Sequence, residues 1–436
     1  MGNAACSCVA EEFAFHPPDP ARYVWALLSE RGDAVVDGAS TARGRAAEGA
    51  AAARQASSSL ASTSSSLGPG GGSGGRQTYR VVDWRVRHGV GDSLVLRNAL
   101  HMLVPQAGVD GCVRHVRAPV PRGRAMDLLC LPTADRRVIP AVHIRSERLS
   151  PFAGGDPTQA PITVVYSHGN AVDLGLCVPY LCALAEAWGV DIVAYDYGGY
   201  GITRQAGQDP EEAAFGPSDP GLSFPTKGLR RCSEAMTLHD LRACVAYLED
   251  ACGLMRWRDI ILYGTSLGTG PTAKIAADAC HRKAPFRGVV VQAPLMSGVH
   301  VFCGRPPPLS DAQRSTLPTA AMAMGAPSPG DAADDSDSLL AGQPSTGAGC
   351  WPMCLYPCDI FRSYAELHRL TCPVLVVHGT EDRVVPCAHG LSFAREVPGA
   401  VAPLILKGAG HNDIEELFFE TLIRRLKRFC TIEAAP

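Results

Sequence analysis

A chain of 436 residues has room for one large α/β domain or two smaller ones, and 46% apolar residues are enough for a full core. A net charge of −3 offers no polyanion-binding surface, so nucleic acid is not an expected partner. Seventeen cysteines fall without regular spacing, no charged-then-apolar leader opens the sequence, and no apolar run approaches the roughly 18 residues of a membrane span. These features predict an intracellular protein with no disulfide framework and no transmembrane segment.

In chain order, residues 1–38 read as a short head, MGNAACSCVAEEFAFHPPDPARY at its start. Residues 39–76 collapse into Ala, Ser and Gly, too poor in large apolar groups to offset their ordering entropy, which predicts a disordered, flexible linker. Residues 77–436 form the main domain. Its strand candidates are Ile162–Ser167, Asp191–Tyr197, Asp259–Tyr263, Gly288–Gln292, Pro373–His378 and Pro403–Lys407, short runs whose near-continuous apolarity suits burial on both faces. Helix candidates Leu174–Trp188, Thr237–Glu249, Thr272–Cys280 and Asp413–Phe429 fall between them, and the alternation predicts an α/β fold with a mostly parallel central sheet flanked by helices. Stretches 203–230 and 304–349, rich in Pro, Gly, Ser and Asp, read as two loop insertions.

Gly264-Thr265-Ser266-Leu267-Gly268 fits a nucleophile elbow, the tight strand-to-helix turn that needs small neighbours around its serine. The same pattern occurs at Gly71–Gly75, but Ser73 has neither a strand before it nor a helix after it, whereas Ser266 follows Asp259–Tyr263 and precedes a helical stretch. Ser266 is therefore the candidate nucleophile. A serine hydroxyl needs a base, and the base needs a carboxylate to fix its tautomer. Asp382 follows the strand at Val374–Val377 and His411 follows the last strand in Gly408-Ala409-Gly410-His411, giving the order Ser, acid, His at strand C-terminal ends. Glu381 is the competing acid and Asp413 a weaker one.

Two donors must meet the tetrahedral oxyanion. The Leu267 N–H is one; the Asn170 backbone N–H, in His168-Gly169-Asn170-Ala171, is assigned as the other. His168, His378 and Asp196 are read as holding backbone, not as reacting groups. Cys350, Cys354 and Cys358 recur every four residues, but Pro352 and Pro357 interrupt them and no histidine completes a zinc pattern, so ordinary thiols are expected. Neither metal nor organic cofactor is required by this chemistry. In the basic C-terminal stretch, Leu422, Ile423, Leu426 and Phe429 are expected to face inward.

Several longer stretches carry a family resemblance: HGNAVDLG (168–175), YDYGGYG (195–201), ILYGTSLGT (261–269), PLMSG (294–298), CPVLVVHGTED (372–382), HGLSF (389–393) and GAGHNDIE (408–415). Together they closely resemble the α/β-hydrolase domain-containing protein 17 family of depalmitoylases, from about Ile162 to the C-terminus, and FHPPDP at Phe15 is similar to that family's head. The resemblance implies an α/β-hydrolase fold and a membrane-tethered serine hydrolase acting on palmitoyl thioesters of cytosolic-face proteins through Ser266, Asp382 and His411. The two insertions depart from the family pattern, residues 77–160 align loosely, and the N-terminal cysteine cluster is reduced to Cys6 and Cys8.

Cys6 and Cys8 beside Gly2 read as an acylation head, since one fatty chain holds a membrane only marginally and a second signal is needed. Cysteine at position 6 breaks the strict pattern for myristoylation of Gly2, which leaves S-acylation of Cys6 or Cys8 as the leading expectation. The expected partners are S-palmitoylated membrane proteins and the cytoplasmic face of a membrane. Two other readings stay open: a lipid, lysophospholipid or acyl-CoA ester hydrolase with the same triad, and a non-catalytic hydrolase-fold scaffold.

Overall fold

A computed structural model describes residues 14–17, 24–29, 64–66, 78–81, 95–96, 100–107, 113–146, 162–202, 232–302 and 359–435. Among the described residues the central sheet has nine strands: β1 (Val95–Leu96), β2 (Arg124–Pro132), β3 (Val138–Ser146), β4 (Thr163–Ser167), β5 (Asp191–Tyr195), β6 (Ile260–Thr265), β7 (Gly288–Gln292), β8 (Val374–Gly379) and β9 (Leu404–Leu406). Their spatial order is β9-β8-β7-β6-β4-β5-β3-β2-β1. Strands β4 to β9 pair in parallel, while β3 meets β5 and β2, and β1 meets β2, in antiparallel register. The chain runs from β4 to β5 on one side and then crosses to β6 on the other, a reversal that opens a crevice at the C-terminal ends of β4 and β6.

Alternation along each strand divides the apolar side chains between two cores. Val165, Val193, Leu262 and Val289 face one core, where they meet Leu241, Cys244, Ala273 and Ala276. Val164, Ile192, Ile261 and Val290 face the other, with Val178, Leu181, Leu422 and Leu426. These helical partners lie on α2 (Glu234–Ala246) and α3 (Thr269–His281) for the first core, and on α1 (Leu174–Trp188) and the C-terminal helix Phe419–Arg428 for the second. Each fully buried Val, Leu or Ile contributes about 1.5–3 kcal/mol against exposure, which is why strands apolar on both sides settle in the middle layer.

Local chemistry sets the helix ends. The Asp173 side chain accepts from Leu176 N–H to cap α1, and Gly189 closes it in the left-handed conformation at φ 84°. Ser233 caps α2, which is followed by a π-turn at Tyr247–Ala251. The helix expected as one piece at Asp413–Phe429 is two, Ile414–Leu417 and Phe419–Arg428, because the chain leaves helical dihedrals at Phe418 (φ −121°, ψ 17°), whose ring packs against the second core. Leu422, Ile423, Leu426 and Phe429 are buried.

Elements with no counterpart among the sequence-derived candidates include the antiparallel pair β2 and β3 and a helix at Cys387–Glu396. A second sheet of five strands has the spatial order Ser64–Ser66, Thr78–Val81, Val24–Ser29, Leu100–Ala107, Val113–Arg117. Of the expected linker 39–76 only Ser64–Ser66 is described, as a strand of that sheet. Gly2, Cys6 and Cys8, the insertions 203–230 and 304–349, and Cys350, Cys354 and Cys358 lie outside the described residues. Among the described residues no helix is long and apolar enough to cross a membrane.

Candidate active site

β6 delivers Ser266 to the crevice through a sharp turn. Ser266 has φ +51°, a left-handed conformation that costs a non-glycine residue about 1–3 kcal/mol and persists only where its surroundings over-determine it. Here they do. A Cβ on Gly264 would collide with Gly268 O, and one on Gly268 would collide with Ser167 O, so neither flanking position accepts a side chain. The Thr269 hydroxyl donates to Ser266 O (2.6 Å), and Leu295 N–H donates to that same hydroxyl oxygen (3.3 Å), tying the turn to the chain after β7. Ser266 stays partly exposed while Leu267 is buried.

The acid and the histidine come from the ends of β8 and β9. His411 Nδ1 lies 2.7 Å from Asp382 Oδ2, and His411 Nε2 lies 3.0 Å from Ser266 Oγ. Asp382 Oδ1 accepts from the N–H groups of Val384 (2.9 Å) and Val385 (2.8 Å). Burial pushes the Asp382 carboxyl up, but hydrogen bonds from His378 and His411, the charge of His411 and the Val385 amide together outweigh it and hold the group well below the usual carboxylate range. An ionised carboxylate can only accept, so Nδ1 of His411 carries the proton and its Nε2 lone pair faces the serine hydroxyl. That arrangement can draw a proton from Ser266 and stabilise the resulting imidazolium.

The competing acids sit elsewhere. Glu381 is exposed. Asp413 accepts from Gly410 N–H (3.0 Å) and so braces the loop that carries His411. His168 lies at the end of β4, buried against Tyr197 with ring centroids 4.2 Å apart; its Nδ1 is 2.7 Å from Gly169 O and its carbonyl accepts from Tyr197 OH (2.6 Å). Asp196 accepts from Leu174 N–H (3.0 Å) at the start of α1. Both order loops around the crevice. His378, by contrast, is in contact with Asp382: its Nε2 lies 3.3 Å from Oδ2 of that residue. The signal for this contact was the four-residue spacing from His378 to Asp382 across the end of a strand.

For the two oxyanion positions, Leu267 lies in the first turn after the elbow, where amide N–H groups lack intrahelical acceptors and the helix dipole favours negative charge. Gly169, just before Asn170, comes so close to the serine that a Cβ placed on it would stand 3.6 Å from Ser266 Cβ. The loop after β4 and the elbow after β6 therefore form the two walls of the crevice. Among the described residues no group of three or more His, Cys, Asp or Glu could hold a metal ion.

The sequence model of the alpha/beta hydrolase family matches residues 164–420, more than half of the chain and a span that contains Asn170, Ser266, Asp382 and His411. The chain belongs to the alpha/beta hydrolase family. Within it, the chain is similar to human alpha/beta hydrolase domain-containing protein 17C, 29% identical over 271 residues that make up 62% of this chain and 58% of that protein. Alpha/beta hydrolase domain-containing protein aho-3 of Caenorhabditis elegans is 29% identical over 273 residues, 63% of this chain and 58% of its own. The chain thus spans only about three-fifths of these relatives' length. Among solved structures, an esterase from Pyrobaculum calidifontis is 18% identical with TM-score 0.42, covering 72% of this chain and 87% of its own. Mouse alpha/beta hydrolase domain-containing protein 10 is 16% identical with TM-score 0.38, covering 70% and 98%.

Proposed function

We propose that this protein is a membrane-associated serine hydrolase that removes palmitoyl groups from cysteine thioesters of proteins. The observation that carries the hydrolytic part is the unbroken series from Asp382 through His411 to the partly exposed Ser266 Oγ on its strained turn. The preference for thioesters rests on the likeness of the motifs around this series to the domain-containing protein 17 relatives.

In the reaction, His411 Nε2 takes the Ser266 proton as Oγ attacks the acyl carbonyl. The Leu267 and Asn170 N–H groups receive the oxyanion, each such donor being worth roughly 10²–10³ in rate. Collapse breaks the carbon–sulfur bond as the departing cysteine sulfur takes the proton back from His411, which frees Nε2 for the second half of the reaction. Water, giving its proton to the same nitrogen, then attacks the acyl-serine and releases the fatty acid with Ser266 restored. Asp382 holds His411 in the required tautomer throughout.

Acyl groups on Cys6 and Cys8 are proposed to bring this site to the cytoplasmic face of a membrane. Ala14 O accepts from Asn170 Nδ2 at 2.8 Å, so the head reaches the crevice wall. Ala14 lies six positions beyond Cys8, a stretch that spans at most about 22 Å, which keeps an acylated head close to the mouth of the site.

A fluorophosphonate probe tests the nucleophile: wild type should label and Ser266→Ala should not, and a folded wild type that fails to label removes the hydrolase reading in favour of a scaffold. Turnover of a palmitoylated peptide is then compared with the matching oxygen ester and with lysophospholipid. Preference for the lipid would overturn the protein-substrate reading. Membrane fractionation of the Cys6→Ser/Cys8→Ser variant tests the anchor, and undiminished membrane retention would end it.

A further inference from the structure

The head does more than lead toward the site; a piece of it is built into one wall. Phe15 is 7% exposed and belongs to the core beneath α3. Its ring meets Phe361 edge-on, centroids 5.9 Å apart, and Phe361 in turn fills the space beside Gly270, four residues beyond Ser266. On either side of Phe15 the head's backbone engages the Asn170 side chain. Asn170 Nδ2 donates to Ala14 O (2.8 Å), and His16 N–H donates to Asn170 Oδ1 (2.9 Å). Tyr200 OH donates to the same Oδ1 (2.6 Å) and accepts from His16 N–H (3.1 Å). The Asn170 amide is thus read on both edges, as a strand neighbour would read it, by residues 154 or more positions away in sequence.

We propose that Ala14–Pro17 is a strap that positions the oxyanion loop, with Phe15 and the Asn170 side chain as positioning residues; this rests on the serine-hydrolase reading above. An N–H donor stabilises the oxyanion only if it is already aimed when charge develops. The Asn170 backbone sits on a short loop between β4 and α1 whose next residue, Ala171, is itself at φ +57°. The loop's own Asn170–Ala171 bond (3.0 Å) and Tyr200 fix one edge of the amide, but the Ala14 carbonyl is what holds its Nδ2 edge. Phe15 supplies the anchoring surface, since a buried aromatic ring removes about 150–250 Å² from water. Loosening the strap therefore weakens an interaction made in the transition state, which lowers kcat and leaves KM in place.

The test is steady-state hydrolysis of p-nitrophenyl butyrate by the full chain. Phe15→Ala should lower kcat roughly tenfold at unchanged KM, a fraction of what a lost donor costs. Phe15→Leu should recover most of that loss. Phe15→Ala combined with Asn170→Ala should be no slower than Asn170→Ala alone, because both cut the same connection. If Phe15→Ala does not fold, Tyr200→Phe takes its place; it deletes a single hydroxyl and should lower kcat several-fold. Wild-type kcat in a folded Phe15→Ala or Tyr200→Phe protein, a change confined to KM, or full additivity in the double variant overturns the strap. A wild type with no turnover overturns the hydrolase reading itself, and the strap with it.

Discussion

His378 Nε2 lies 3.3 Å from Asp382 Oδ2, the same oxygen that His411 Nδ1 approaches to 2.7 Å. The carbonyl of Val385, 2.8 Å from His378 Nε2, can only accept, so that nitrogen carries a proton and presents it between the carbonyl and the carboxylate. With Val384 and Val385 N–H groups on Oδ1, Asp382 is supported on both oxygens before it touches His411. Such a carboxylate stays ionised and keeps its orientation while the proton moves between Ser266 and His411.

Asp382→Asn should leave the fold intact and cut kcat by roughly 10³–10⁴. An amide NH₂ facing His411 Nδ1 would force the proton onto Nε2, and that nitrogen could no longer accept from Ser266. Steady-state hydrolysis together with the rate of fluorophosphonate labelling checks this. A variant that labels at the wild-type rate would mean that Asp382 does not set the tautomer.

Gly268→Ala should abolish labelling through backbone displacement alone. Its Cβ would meet the backbone oxygen of Ser167 and also lie against His168 O, and neither carbonyl is on a side chain that can swing away. Overpacking of this kind typically costs 1–3 kcal/mol, and more where backbone must shift. A lowered unfolding midpoint with lost labelling is expected; unchanged activity would show that the elbow has room for a methyl group.

The parallel core of the sheet and its crevice were legible because β4 to β8 are apolar on both faces, and β4, β5, β6 and β8 end in turns that contain glycine. Ser266, Asp382 and His411 could be picked out because each follows a strand, β6, β8 and β9 in turn, in the order that the chemistry needs, and the fold brings the three together. The antiparallel pair was hidden for equally physical reasons. β3 carries Pro140, which removes a ladder donor and argues against a strand. β2 and β3 also hold Asp127 and Arg145, whose charges make sense only across the hairpin, where Arg145 Nε meets Asp127 Oδ2 at 2.6 Å. The helix at Cys387–Glu396 includes Gly390 and Ser392, weak helix formers that packing overrides. Nothing local in Ala14–His16 announces a partner at Asn170; that contact exists only after the chain has folded.

Gln292→Leu should destabilise the protein by about 1–3 kcal/mol or more. Gln292 is fully buried at the end of β7, where it accepts from Tyr263 OH (2.7 Å) and donates to Glu415 Oε1 (2.6 Å). Burial raises the Glu415 carboxyl above its ordinary range, and the Gln292 bond is one of the interactions that oppose this. Leucine would take the bonding partner from both the phenol and the carboxylate. Urea unfolding at neutral pH measures the loss, and an unchanged midpoint would mean that water replaces the amide.

His389 gives the fold an acid limb that can be read separately from catalysis. Its ring is fully buried on the helix Cys387–Glu396, with Nδ1 accepting from Met296 N–H at 3.2 Å. Burial, reinforced by His378 and His300 and opposed in part by Asp382, pushes the imidazole down to about 4. In the unfolded chain the same group titrates near its ordinary value of about 6.5. Between those two values the unfolded chain binds a proton that the folded chain refuses. The contribution to stability is therefore complete above about pH 6.5 and is lost as pH falls toward about 4, a change of ~3 kcal/mol. His389→Gln, whose amide oxygen can still accept from Met296 N–H, should flatten that slope while leaving stability at pH 8 close to wild type. Urea titrations at half-unit intervals of pH decide it: parallel slopes for the two proteins would place the acid sensitivity on other groups.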